Sequence, residues 1–222
     1  MATCKRFERS TWRSRSQCVI AHAMARTQSP DYEKRRDAIL VKAANLFAKK
    51  GFLGTSISEL ASAGKQSKSL FYHYFASKED VLYELMSSHL DELLAIAKCI
   101  ETRSDLDASA RLYALTAEFM AAYVDAANAQ RVLLNELDNL PPARRQDIVE
   151  RQRKIIAIVR RLMLEITPSL ADHPEKQMPA AMLYFGMINW AHNWFDPNGP
   201  LPAEGLARMA VDFTLNGLRA QA

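Results

Sequence analysis

The chain is predicted to be all-α. Ala, Leu, Arg and Glu dominate it, and only seven glycines occur among its 222 residues. Apolar side chains recur at helical spacing, and alternating strand patterns with hairpin signals are absent. With 49% of residues hydrophobic there is enough apolar material for a core. The length suits one small unit joined to a larger companion.

The first stretch, residues 1–29, has no apolar periodicity. It holds Lys5, Arg6, Arg9, Arg13, Arg15 and Arg26 against the single acid Glu8, and it concentrates the net charge of +4. It reads as a disordered basic arm that attracts phosphate nonspecifically or tracks a minor groove. A translation start at Met24 and a transit peptide are the competing readings of the same residues.

Asp31 to Lys50 follows as a helix, with Ile39, Ala43, Leu46 and Phe47 on its inner stripe and Gly51 as its stop. Ser56 and Glu59 have capping-box spacing, so a short helix is expected over Ile57 to Ala63, with Leu60 and Ala61 as its apolar face. Gly64 is expected to end it in a left-handed conformation. Lys65 and Gln66 complete a tight turn, and Ser67 caps a second short helix carrying Lys68 to Tyr74. There Leu70, Phe71 and Phe75 turn inward, while Lys68, Ser69, Tyr72 and His73 stay on the outer side. Ser77 caps a long helix from Lys78 toward Cys99, apolar from Val81 through Ala97. Further helices are expected over about Asp107 to Ala127, Ala129 to Asp138, Pro142 to Ile166, Glu175 to Phe195 and Pro202 to Arg219, with prolines marking the breaks. The last two carry more apolar surface than one small bundle readily hides, from Ala180, Ala181, Leu183, Tyr184, Gly186, Met187 and Trp190 to Leu206, Met209, Ala210, Phe213, Leu215 and Leu218, which predicts a dimer interface, with intramolecular core as the alternative.

Two short helices joined by a tight turn, the second with a polar outer face, are the pattern of a helix-turn-helix DNA reader. In such motifs the start of the second helix meets base edges, while hydroxyls, amides and cations grip phosphates. The candidate contacts are Thr55, Ser56, Gln66, Ser67, Lys68, Ser69, Tyr72, His73, Tyr74 and Lys78. Lys78 would be helped by the free amides and dipole of the helix it begins. Residue by residue, an aromatic core patch and a solvated lysine explain the same positions.

The segment SKSLFYHYFASKEDVL, with GFLGTSISELA before it, closely resembles the DNA-binding domain of the TetR/AcrR family of bacterial transcription regulators over about Ala38 to Leu85. Lys65 and Lys68 depart from the small residues that the family usually has there. The resemblance implies about nine helices, a helix-turn-helix domain at 30–77, and a ligand-binding and dimerisation domain at 78–222. It also implies a homodimeric repressor on a palindromic operator of double-stranded DNA, released by a small-molecule effector. Repressor and activator are not distinguished by sequence.

In the companion domain Tyr113, Phe119 and Tyr123 are placed to wall an apolar cavity, together with Leu134, Leu137 and the apolar face of Pro142 to Ile166. Arg153 and Arg160, seven apart on one helix side, suit an anionic group at its mouth. Ordinary core and solvated arginines explain these residues equally. The segment from Gly186 to Leu218, together with LLNELDNLPPARRQDIVERQR, resembles the acyl-coenzyme A-responsive members of the family, most of all the phenylacetate-degradation branch. That implies phenylacetyl-coenzyme A as effector, with Asn189, Trp190, Asn193 and Trp194 near the ligand or at the dimer edge.

No apolar run approaches the ~20 residues needed to cross a bilayer, so a soluble, cytoplasmic protein without a membrane partner is expected. Cys4, Cys18 and Cys99 are odd in number and widely spaced, encoding neither a disulfide framework nor a zinc knuckle. No nucleophile elbow, phosphate loop or metal-ligand spacing is present, so no catalytic residue, metal or cofactor is expected and the chain is not read as an enzyme. The alternative from another class is a helical ligand-binding or enzyme scaffold whose helix-turn-helix is unused.

Overall fold

Gly51 turns the first corner of the chain. Its φ of 75° lies in the left-handed region that glycine adopts without a side-chain clash, and its amide donates to the Phe47 carbonyl at 2.9 Å. The computed structural model describes residues 30–64 and 67–220; the basic arm and the turn residues Lys65 and Gln66 lie outside them. Among the described residues there are nine helices and no strands: α1 (Pro30–Lys50), α2 (Ile57–Ala63), α3 (Lys68–Tyr74), α4 (Lys78–Glu101), α5 (Ala108–Asp125), α6 (Ala127–Asn135), α7 (Pro142–Ile166), α8 (Pro174–Trp190) and α9 (Ala203–Ala220).

Side-chain caps set the early boundaries. The Ser56 hydroxyl accepts from the Glu59 amide at 3.2 Å, and the Glu59 carboxylate accepts from the Ser56 amide at 2.9 Å, completing the capping box. Lys50 reaches the same carboxylate at 2.5 Å; hydrogen bonds from Lys50 and then Ser56 hold the exposed Glu59 carboxyl down at about 2. Ser67 and Ser77 accept from the amides of Leu70 and Asp80, at 3.2 and 3.0 Å. Gly64 departs from expectation. Its φ of −79° is right-handed, and its amide reaches the Leu60 carbonyl at 3.1 Å, so α2 closes without a left-handed residue.

Later boundaries shift by one to five residues. Asp107 stands outside α5 as its cap, accepting from Ala110 at 2.7 Å. Ala126 breaks α5 from α6 with φ −119°, so α6 starts earlier than expected and gives way to a 3-10 turn at Leu137–Asn139. Likewise α8 ends at Trp190 and continues only as a 3-10 turn.

One core runs from the first helices to the last, through Ile39, Phe47, Phe71, Leu90, Phe119 and Tyr184, all nearly or fully buried. α4 is its spine, buried at intervals from Val81 to Ile100. Along the seam with α7 it meets Arg144 at Asp80, Asp147 at Tyr83 (2.9 Å), Arg151 at Asp91 and Arg161 at Glu101 (2.6 Å). The pairs ascend together, so the two helices run the same way. Each partly exposed pair contributes little free energy, but the set fixes register.

Because Gly51 alone has a positive φ among the described residues' glycines, Gly51→Ala should lower stability by about 1–2 kcal/mol in urea unfolding. An unchanged midpoint would contradict a strained corner.

Candidate DNA-reading face and ligand sites

α3 is anchored from below by Phe71 and Phe75, which are buried, and it presents Lys68, Ser69, Tyr72 and His73 to solvent. Tyr72 is 52% exposed, a large value for an aromatic ring beside a core, and it leaves the ring free to meet a partner. The C-terminal end of α3 is braced by a residue that the sequence did not single out. Tyr32 of α1 packs its ring 4.7 Å from Tyr74, and its hydroxyl donates to the His73 carbonyl at 3.4 Å. No motif marks Tyr32; only the packing of α1 behind α3 reveals it.

Two expected phosphate contacts face inward instead. Thr55 is 1% exposed and its hydroxyl donates to the Gly51 carbonyl at 2.9 Å. Lys78 donates to the carbonyls of Phe52 and Thr55, at 2.7 and 2.8 Å, with its ammonium 4.1 Å from the Phe52 ring centre. Loop carbonyls turned toward the core need a donor, and Lys78 supplies it, stapling the α1–α2 loop to the start of α4. Ser56 and Ser67 are exposed at their caps, and Tyr74 is half-buried against Tyr32.

Inside the companion helices lies a buried polar network. His89 on α4, 4% exposed, bonds through Nε2 to the Gln130 amide oxygen on α6 at 2.8 Å; Gln130 in turn donates to Asn189 on α8 at 3.3 Å. As assigned, that oxygen makes His89 the neutral Nε2–H tautomer, and burial pushes its pKa down. Nearby, Thr116 donates to the Leu112 carbonyl at 2.7 Å, so in its 2.8 Å contact with Tyr184 the phenol is the donor. Burial holds Tyr123 and Tyr184 well above the usual phenol range. α6 also touches the head, where Asn128 donates to Asn45 of α1 at 2.5 Å.

The outer face of α8 and α9 is apolar and open. Leu183 is 72% exposed, and Met182, Trp190, Trp194, Met209 and Phe213 join it around a groove of about 820 Å³. A continuous apolar surface of this kind marks a contact site.

Residues 39–85 match the family model described as bacterial regulatory proteins, tetR family, and residues 105–218 match the tetracyclin repressor-like C-terminal domain. The chain belongs to the tetR family. The HTH-type transcriptional repressor KstR2 of Mycolicibacterium smegmatis is 30% identical over 194 residues, covering 83% of this chain and 90% of that one. A TetR-family regulator from Bordetella parapertussis is 35% identical with a TM-score of 0.80, covering 83% of this chain and 96% of that one. AibR in complex with isovaleryl coenzyme A and operator DNA is 25% identical with a TM-score of 0.71, covering 81% and 97%.

The ligand residues expected in this regulator do not converge on one cavity. Phe119 and Tyr123 are buried and stacked at 6.1 Å as core. Tyr113 sits at the surface, donating to Asp212 of α9 with Arg208 over its ring. Arg153 is exposed and Arg160 half-buried on α7. Trp190 and Trp194 line the outer groove, Asn193 bonds back to the Trp190 carbonyl, and Asn189 and Tyr123 enter the polar network through Gln130. The physical reason is hydrophobic periodicity: it marks which side chains turn inward, and here those of α5 and α7 meet each other. His89 and Gln130 were missed, although a lone His and Gln on apolar stripes are a readable signal, and Tyr184, expected in the dimer interface, is fully buried in the core instead.

His89 makes stability pH-dependent. The unfolded chain binds a proton below its ordinary pKa of 6.5, whereas the folded chain resists it, so stability should fall as pH drops through that value. Thermal melts from pH 7.5 to 5 should flatten in His89→Gln; an equal slope in both proteins would place the titration elsewhere.

Proposed function

We propose that this chain is a ligand-responsive repressor that binds a palindromic operator as a homodimer, reading each half-site with α3 and pairing through α8 and α9. The observation that carries the reading is the division of α3: Phe71 locks it to the core while Lys68, Ser69, Tyr72 and His73 stand clear at the face where a groove would lie. The open α8–α9 surface suits a two-fold partner, and two-fold symmetry matches half-sites about one helical turn, ~34 Å, apart. A repressor among the relatives supports the sign of control.

The effector we infer is an acyl-coenzyme A thioester, phenylacetyl-coenzyme A being the first candidate. The resemblance of the Gly186–Leu218 segment to acyl-coenzyme A-responsive regulators supports this, as does the likeness to AibR, solved with isovaleryl coenzyme A and operator DNA. Its route to the DNA would pass through α6, whose Gln130 belongs to the buried network and whose Asn128 touches α1. A ligand that favours a different α6 position weakens operator binding by the ratio of its affinities for the two states.

The test is fluorescence anisotropy on DNA from upstream of the gene. We expect specific, steeply salt-dependent binding, released by one thioester among phenylacetyl-, isovaleryl- and a long-chain acyl-coenzyme A. Tyr72→Ala should weaken specific binding by about tenfold, as losing one good base contact does. Binding that no thioester releases would remove the effector reading; absence of specific binding would favour a helical scaffold with an unused reading head.

Leu183→Glu should shift the dimer to monomer in light scattering and lose operator affinity with it, because a carboxylate placed in the apolar surface cannot be buried unpaired. A Leu183→Glu protein that stays dimeric would move the interface off α8.

A further inference from the structure

α3 has seven residues, so its stability comes from tertiary contacts more than from its own hydrogen bonds. Ser67 satisfies an amide at its start, and Phe71 buries its middle. The far end is held differently. Phe75 leaves the helix in an extended conformation, φ −139° and ψ 126°, so the last carbonyls are not closed by a left-handed turn. A donor for one of them comes from α1, whose Tyr32 hydroxyl reaches the His73 carbonyl at 3.4 Å.

The same tyrosine meets both aromatic side chains of that last turn. Its ring centre lies 4.7 Å from that of Tyr74, tilted by 39°, and 5.7 Å from that of His73 in an edge contact at 81°. His73 and Tyr74 complete the triangle with an edge contact of their own, at 5.5 Å and 78°. One turn further along α1, the Arg36 guanidinium stands 5.2 Å from the Phe75 ring centre while it pairs with Glu84 of α4 at 3.0 Å. Tyr32 and Arg36, four residues apart, share the side of α1 that grips the end of α3.

Within the triangle His73 is exposed, whereas Tyr32 and Tyr74 are half-buried. An imidazole alone on an outer face samples several rotamers and has to be ordered when it meets a partner, which costs binding free energy. Two aromatic rings limit that freedom here before any partner arrives. Neutral or charged, an imidazole carries an N–H, so a fixed His73 offers a hydrogen bond in a fixed direction. We propose that Tyr32 is a positioning residue for DNA recognition: it presets the His73 ring so that an imidazole N–H meets a hydrogen-bond acceptor of the operator at small ordering cost. The proposal rests on the reading of α3 as the operator-binding helix. Tyr32 acts through His73, so its effect disappears when the imidazole does.

A double-mutant cycle on operator affinity, read by fluorescence anisotropy with the full-length protein, tests this. Tyr32→Leu removes the ring and should weaken binding about fivefold, as ordering one more side chain on binding does. In a His73→Ala background the same change should cost less than about twofold. In a Tyr72→Ala background it should cost the full amount, because Tyr72 stands against Phe71, outside the triangle. Tyr32→Phe keeps the ring and loses one long hydrogen bond, so it should bind within about twofold of the parent. In the free parent, deuterated except at histidine and tyrosine, NMR should show a cross-relaxation peak between the Tyr32 and His73 rings. Equal losses with and without His73, parent-like binding by His73→Ala, a Tyr32→Phe loss as large as that of Tyr32→Leu, or a missing ring–ring peak would each overturn the proposal. If Tyr32→Leu fails to fold, Tyr32→Phe and the ring–ring peak decide. A parent that binds no operator specifically overturns the reading of α3 and this proposal with it; specific binding with equal losses overturns this proposal alone.

Discussion

The structure depends on one helix having to be covered along its whole length by two different sets of neighbours. α4 is buried from Val81 to Ile100, and α7 runs beside it from Asp80 to Glu101. From the head α1 packs against it, and from the companion α5, α6 and α7 do. The apolar stripe therefore makes head and companion parts of one core, and a displacement of either is felt by the other through close-packed side chains. Lys78 locks the beginning of this helix. By holding two carbonyls of the α1–α2 loop it ties the orientation of α2, and hence of α3, to the axis of α4.

α6 supplies a second, shorter connection. It is only nine residues long, caps no side chain at its start, and is separated from α5 by the single irregular residue Ala126. A short helix with few internal hydrogen bonds gains its stability from tertiary contacts. Those contacts are polar at both ends of the link: Gln130 toward His89 and Asn189, Asn128 toward Asn45. Amide hydrogen bonds are directional, so a rotation of α6 that suits one set breaks the other.

Much of this was legible in the sequence where the governing interaction is local. α2, α3 and α7 begin and end where Ser56, Ser67 and the Pro141–Pro142 pair direct, because caps and prolines act within a few residues. The outer face of α3 was legible for the same reason, since helical spacing alone separates Phe71 from Tyr72 and His73. What was not legible is the direction taken by polar side chains whose partners are far along the chain. Lys78 finds its acceptors 23 and 26 residues earlier, and His89 meets Gln130 across 41. Gly64 shows the limit of residue preference even locally: glycine permits a left-handed turn without requiring one.

The apolar face of α8 and α9 brings periodicity and packing together. α8 is apolar nearly all round, so spacing could not say which side is core. The fold resolves it by turning Ala181, Tyr184, Phe185 and Ile188 inward and leaving Met182, Leu183 and Trp190 outside. A helix that is hydrophobic on every side is stable in water only when a second surface is covered. Trp190 and Trp194, 64% and 58% exposed, are amphipathic rings of the kind that anchor interfaces. They stand on the face that the core leaves uncovered, while the hydrogen-bonding groups of α8, Asn189 and Tyr184, point the other way. One helix thus divides its two faces: rings and aliphatic chains outward, and inward the buried network that reaches α4 and α6.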